Sequence, residues 1–503
     1  MFRLFVFAIL LTLGIIEYIK PMKKFVFPVT AGALTLMLAL RCGQGTDYFS
    51  YCRIYLHPDA EEFKLEEGFR WFIKLFHQWE LPYTVFTFIF SVILMSILYI
   101  AIVKACNNRF MGLFVIYALY YMQFYENGIR QALAMTIVLL GFVLSAKKKQ
   151  VWFCLLAPIV GLLFHTSAAI AFLFIIPYIS VKWKALDNLI KKRYIVFSGL
   201  LVLVCVALLF FTTRQVFWDS LAVLPDSIYI RLLNYIENSS FSIMSLFSRV
   251  AFLCVISVLY IGSKSKRSDM ERMLFRGYLI GILVYCMFFR IDIIASRMNA
   301  YFKMIEVVLI PNLIGHFSVS EITQLSFITK LTEKKPVIIK VSKVCALVIP
   351  VVLLSYMYLK TTKDVMGQSR YYNPGYIYPY YTVFNVEDLY EYREPPGFVF
   401  KEFYAFTEKE NPREIGNADA FAYNYFPTVS YPDVISNFRP IAEEREYSLC
   451  PEPLSKSGAL INLLESCHTD HIYSDKQYVK ILMEKPYDEE HYRRIKDWLE
   501  DRK

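Results

Sequence analysis

Between Tyr121 and Leu140 the chain reads YMQFYENGIRQALAMTIVLL, and Glu126, Asn127, Arg130 and Gln131 interrupt what is otherwise almost continuous apolar sequence. A carboxylate, a guanidinium and two amides in such a run are expensive unless they pair with one another or line a site. Glu126 and Arg130 stand four apart, so on a helix they share a face and could simply pair. Gly128 between them makes a break in the helix plausible, and broken backbone at membrane depth is tolerated where it lines a cavity. On that second reading Glu126 is a candidate acid or base. Asn127, Arg130 and Gln131 become candidate binding groups for an anionic or hydroxyl-rich ligand.

Asp47 follows Gly43 and Gly45 in RCGQGTDYFSY, a pattern that suggests a tight turn presenting a carboxylate at the lip of the membrane. Such a group serves either as a general base or as the cap of a helix starting at Tyr48. His165 and Ser167, in LLFHTSAAI, separate two apolar runs. A histidine there usually packs as a core residue, and lying at the same membrane level as Arg130 sets the site reading level with that one. No H-E-x-x-H, paired C-x-x-C or Gly-rich phosphate loop occurs, and His57, His77 and His165 lack metal-ligand spacing. No metal, cofactor or nucleic acid is expected.

The elements that must hold these residues are membrane spans. The chain has 503 residues, 56% of them hydrophobic and 17% aromatic, with a mean hydropathy of +0.40. That is too apolar for a soluble protein of this length. Apolar runs near spanning length occur at 4–19, 24–40, 81–103, 110–125, 129–145, 151–164, 166–181, 194–212, 244–262, 273–289, 297–316 and 337–359. The expectation is an all-α polytopic membrane protein with about twelve transmembrane helices, the two short runs around His165 being one kinked helix in the alternative count. From Phe63 to Trp79 the pattern is instead that of an amphipathic helix on the membrane surface.

Alternate loops are rich in lysine: Lys20, Lys23 and Lys24; Lys104 with Arg109; Lys147 to Lys149; Lys182, Lys184, Lys191 and Lys192 with Arg193; Lys264 and Lys266 with Arg267 and Arg272; and Lys330, Lys334 and Lys335. The excess of positive charge places that side in the cytoplasm and both termini outside. The opposite loops carry Arg41, Arg53, Arg70, Arg130, Arg214, Arg231, Arg290 and Arg297 against only Lys64 and Lys74, with Arg249 near the outer end of its span. Topology needs only positive charge. Planar guanidinium groups collected on one face suit bidentate recognition of phosphate or carboxylate, scattered snorkelling arginines being the plainer alternative.

Charge balance turns over near residue 360: residues 1–360 hold 37 Lys and Arg against 19 Asp and Glu, while 361–503 hold 17 against 25. The expected organisation is a membrane domain at 1–360, a Tyr-rich interfacial linker at 361–381 and a small extracytoplasmic α/β domain at 382–503. That domain is read as a glycan-binding or partner-docking module. No cleavable signal peptide is evident in the first twenty residues, so the first span is expected to remain. Cys450 and Cys467 could bridge in an oxidising compartment.

Taken together, RCGQGTDYFSY, EEGF, ENGIRQALA, LFHTSAAI, ASRMNAYF and NPGYIYPYYTVF resemble the EpsG family, the Wzy-like membrane proteins of bacterial exopolysaccharide and capsule loci. The resemblance covers residues 1 to about 385, and the chain departs from it by continuing well beyond Pro379 and Tyr380. It implies a glycosyltransferase-type polymerase in the bacterial cytoplasmic membrane. Such an enzyme joins undecaprenyl-pyrophosphate-linked repeat units into exopolysaccharide, capsule or O-antigen, with flippase and chain-length regulator proteins as further partners. Residue by residue it carries over Arg41, Gly45, Asp47, Tyr51, Glu67, Gly68, Asn127, Arg130, Gln131, His165, Ser167 and Arg297. On this view Arg130, Arg297 and Arg41 hold the pyrophosphate, with Arg231 and Arg290 as further outer arginines, and Asp47 is the base ahead of His165. A ligase or single-sugar transferase using the same lipid donor is the second enzyme reading. A transporter or flippase of lipid-linked sugar is the non-enzyme one, and it should show repeat-like halves and an inner counterpart to the site.

Overall fold

The computed structural model describes residues 2–41, 47–48, 51, 54–55, 58, 65–79, 81–212, 243–318 and 336–372. These residues are helical throughout their apolar runs and hold no strand. In order they form α1 (Phe2–Ile19), α2 (Val26–Ala39), α3 (Glu67–Gln78), α4 (Tyr83–Ala105) and α5 (Arg109–Ile116), which passes into a π-helical segment, Tyr117–Asn127. Then come α6 (Ile129–Lys148), α7 (Trp152–Leu162), a 3₁₀ segment (Thr166–Phe174), α8 (Ile175–Lys182), α9 (Lys184–Lys192) and α10 (Tyr194–Thr212). The set closes with α11 (Ile243–Ile261), α12 (Asp269–Met287), α13 (Asp292–Lys303), α14 (Glu306–His316) and α15 (Pro336–Tyr372).

Five of these helices are long and apolar enough to cross a membrane, on α1, α4, α6, α11 and α15, or six if the pair Thr166–Lys182 and Lys184–Ile190, bent by 88°, counts as one. Among the described residues a count of twelve is not shown. The physical reason is length: α7, for instance, has 11 residues and covers only ~16 Å, about half the hydrocarbon thickness. The expected α/β domain, like Cys450 and Cys467, lies outside the described residues. The helix α15 continues to Tyr372, through the start of the segment expected as a linker.

Helix α6 is the axis of the bundle, with 78% of its apolar window buried against 17% for α1 and 22% for α11. Residues Gly141 and Ala157 let α6 and α7 meet closely, since a Cβ on Gly141 would collide with the Ala157 side chain. At one end of the bundle Tyr178 donates to the Lys149 carbonyl at 2.8 Å, Lys182 approaches Asp269 at 3.7 Å, and His316 meets Glu271 at 3.1 Å and Asn107 at 2.7 Å. The Lys-rich segments gather there. Arg272 and Arg276 stand there too, on Asp269 and Asp187, whereas Arg130, at the opposite end of α6 from Lys148, lies at the other end.

Candidate active site

The π-helical segment ends at Asn127, and α6 begins at Ile129 after Gly128, which has no side chain with which to cap it. An α-helix leaves its first-turn amides without intrahelical partners, and the positive end of its dipole lies there. Arg130 stands on this first turn, so its charge adds to that of the helix end, an arrangement suited to an anion.

Four sequence motifs meet around Arg130. Its Nη1 donates to Glu66 Oε2 at 2.5 Å, and its guanidinium lies 5.7 Å from the ring centre of Tyr51 and 5.6 Å from that of Phe69. The buried Nε–H has no hydrogen-bond partner among the described residues. Glu66 uses its second oxygen, Oε1, to accept the Thr166 amide at 3.0 Å. Next to it the Phe69 amide donates to the Leu163 carbonyl at 3.1 Å. The start of α3 is thus tied to the turn between α7 and the 3₁₀ segment. Gly68 makes this approach possible, because a Cβ there would come within 2.6 Å of the Leu163 Cβ.

His165 caps the 3₁₀ segment. Its Nδ1 accepts the Ser167 amide at 3.2 Å and lies 2.6 Å from Ser167 Oγ, which in turn is 3.0 Å from the Tyr301 hydroxyl. An Nδ1 that accepts a backbone N–H leaves the ring proton on Nε2. Burial lowers the pKa of His165, Glu66 opposes this, and Arg130 and Arg297 add to the lowering, so the ring is neutral near pH 7. Gln131 donates from Nε2 to the Arg297 carbonyl at 2.9 Å, which joins α6 to α13. The Arg297 side chain itself is exposed.

Other expected residues take different places. Glu126 is fully buried and does not pair with Arg130: both its oxygens accept from Arg3 Nη1, at 2.8 and 2.7 Å. The break at Gly128 separates two neighbours in sequence into two networks. Arg41 is 1% exposed and donates at 2.7 Å to the Leu38 carbonyl, closing the end of α2. Asp47 lies one turn before Tyr51, whose amide donates to the Asp47 carbonyl at 3.0 Å, so it borders the site through Tyr51. Asn127 ends the π-helical segment, and Arg290 lies in the connection between α12 and α13. Arg231 lies outside the described residues.

Sequence reasoning missed Glu66, Tyr301 and Arg3. Glu66 precedes the Glu67–Gly68 pair taken from the resemblance, and Tyr301 falls inside ASRMNAYF, so both lay within quoted motifs. No signal marked Arg3, whose partner is 123 residues away. Among the described residues no group of three or more His, Cys, Asp or Glu side chains gathers as a metal would need.

The arrangement can hold an anion at Arg130 and the α6 terminus, and it sets a carboxylate, a neutral imidazole and two hydroxyls beside that anion. No curated protein matches the chain, and no solved structure does. The family model described as EpsG family matches residues 24–332. That stretch contains every contact of the site just described, and the chain therefore belongs to the EpsG family, whose members have a membrane polysaccharide polymerase-like role.

Proposed function

We propose that the protein polymerises undecaprenyl-pyrophosphate-linked oligosaccharide repeat units on the outer face of the bacterial cytoplasmic membrane. The observation that carries this reading is Arg130. It is a partly buried guanidinium on an uncapped helix terminus, at the end of the bundle away from the lysines, and hydroxyl and carboxylate groups surround it. A lipid pyrophosphate has its tail in the bilayer and its anion at the interface, which is where such a group is useful.

The donor's pyrophosphate binds Arg130 and the first-turn amides of α6, with Arg297 close by. A hydroxyl of the incoming unit attacks the anomeric carbon, and the lipid pyrophosphate departs with the bonding electron pair. The leaving group is already a stabilised anion, so the protein has to hold its charge and remove one proton. His165, with Nδ1 taken and a proton on Nε2, serves as a donor to sugar or phosphate oxygen rather than as the base. The base is a carboxylate, and Asp47 and Glu66 are the two bordering Arg130.

Deleting the gene and sizing the surface polysaccharide tests the reading. Single repeat units displayed in place of long chains are the expected result. Complete loss of surface polysaccharide would point to export instead, and unchanged chain length would exclude both.

A further inference from the structure

We propose that Glu66 is the general base of the transfer and that Arg130 keeps it occupied until the donor's phosphate arrives. This rests on the function just proposed, because it assigns a role inside the same site.

The two oxygens of Glu66 have different partners. Oε2 is held by Arg130 at 2.5 Å and Oε1 by the Thr166 amide at 3.0 Å. To a guanidinium, a phosphate is the same kind of ligand as a carboxylate, and it carries more charge. A donor phosphate reaching Arg130 therefore competes with Oε2. The pair is only partly buried, its side chains being 22% and 11% exposed.

Displacement does not release Glu66 into solvent. The Thr166 amide still holds Oε1, and the Phe69 amide still ties the start of α3 to Leu163. What changes is that Oε2 gains an open lone pair next to the bound donor. The other candidates are less well placed for this. His165 Nδ1 already accepts the Ser167 amide, and Asp47 stands a turn behind Tyr51, which itself covers Arg130.

In the step that follows, the acceptor hydroxyl gives its proton to Glu66 Oε2 as its oxygen bonds to the anomeric carbon. The bond from that carbon to the pyrophosphate oxygen breaks, and the leaving pyrophosphate takes the electron pair into the field of Arg130. When the lipid pyrophosphate departs, Glu66 passes its proton to water and pairs again with Arg130. An empty site thus holds no free base.

The test measures binding of undecaprenyl pyrophosphate to the full-length protein in detergent, alongside chain formation in cells at matched membrane abundance. Glu66→Gln leaves Arg130 without its carboxylate, so it should bind undecaprenyl pyrophosphate at least about threefold more tightly than wild type. Polymer formation should fall ~10²–10⁴-fold, the usual worth of a general base. A Glu66 that only supported the fold would weaken both. If Glu66→Gln fails to accumulate, Glu66→Asp draws the carboxylate back by one methylene and should show tightened binding with part of polymer formation kept. Binding no tighter than wild type in the variant tested, or wild-type chains from Glu66→Gln, overturns this inference while the proposed function stands. No binding by the wild-type protein, with polysaccharide unchanged on deletion, overturns the function and this inference together.

Discussion

Glu126 and Arg130 show how far identical spacing can mislead at the residue scale. The carboxylate takes both hydrogen bonds from Arg3 in the buried interior, whereas the guanidinium faces Glu66 in a partly open site. Their substitutions should therefore fail in opposite ways. Glu126→Gln removes the negative charge from a buried ion pair, and breaking such a pair typically costs about 3–5 kcal/mol. The expected outcome is a lowered melting temperature of the detergent-solubilised protein, with chain length per surviving molecule little changed. Arg130→Lys keeps the charge but loses the planar fork, so turnover should fall ~10²-fold at near-normal melting temperature, as when one oriented donor to a developing anion is removed. Polysaccharide length at matched membrane abundance, read beside the two melting curves, checks the pair. A stable Glu126→Gln protein or wild-type chains from Arg130→Lys would contradict this division.

At the scale of elements, the contact between the start of α3 and the turn before the 3₁₀ segment positions Glu66. Gly68→Ala sets a methyl 2.6 Å from the Leu163 Cβ and 2.7 Å from its carbonyl oxygen, so α3 must shift and carry Glu66 away from Arg130 and Thr166. Polymer formation should drop while the protein still inserts. Gly32→Ala meets nothing within 4 Å and should leave chain length unchanged, since alanine is the better helix former. Apolar runs were legible in the sequence because each helix must cover its backbone with apolar side chains. The break at Gly128 and the amphipathic α3 could be read the same way, from one glycine and from a change of period. The π-helical register of Tyr117–Asn127 could not, because an added residue per turn leaves an apolar run looking the same. Nor could the pairs Arg130–Glu66 and Arg3–Glu126, which join residues 64 and 123 apart. Local spacing suggested Glu126–Arg130 instead, and only the packing of α1 and α3 against the central helix decides between them.

For the whole molecule, the basic residues gathered at one end imply an orientation. Lys149, Tyr178, Lys182 and Asp269 meet at one end, and Glu66, Arg130, His165 and the Arg297 backbone at the other. Cytoplasmic loops collect the positive charge that cannot be translocated, so the orientation to be tested has the lysine end inside and the site outside. Helix α15 bears on where the remaining chain emerges. Its Tyr358 stacks on Phe7 at 4.4 Å and on Tyr117 at 5.8 Å, and the Tyr117 hydroxyl donates to the Arg3 carbonyl at 3.0 Å. Arg3 opens α1 and pairs with Glu126 just before the site, whereas Glu17, near the close of α1, reaches the Phe110 amide at the start of α5. Tyr358 thus lies near Arg3 and Glu126, and the positive-inside rule applied to Lys330, Lys334 and Lys335 ahead of α15 predicts that its carboxyl end runs toward the same end as Arg130. Reporter fusions after Gln78 and after Tyr372 should both give the external signal, and a fusion after Lys149 the cytoplasmic one. Matching signals from Lys149 and Tyr372 would break the orientation, and with it the placement of Arg130 where a lipid pyrophosphate presents its charge.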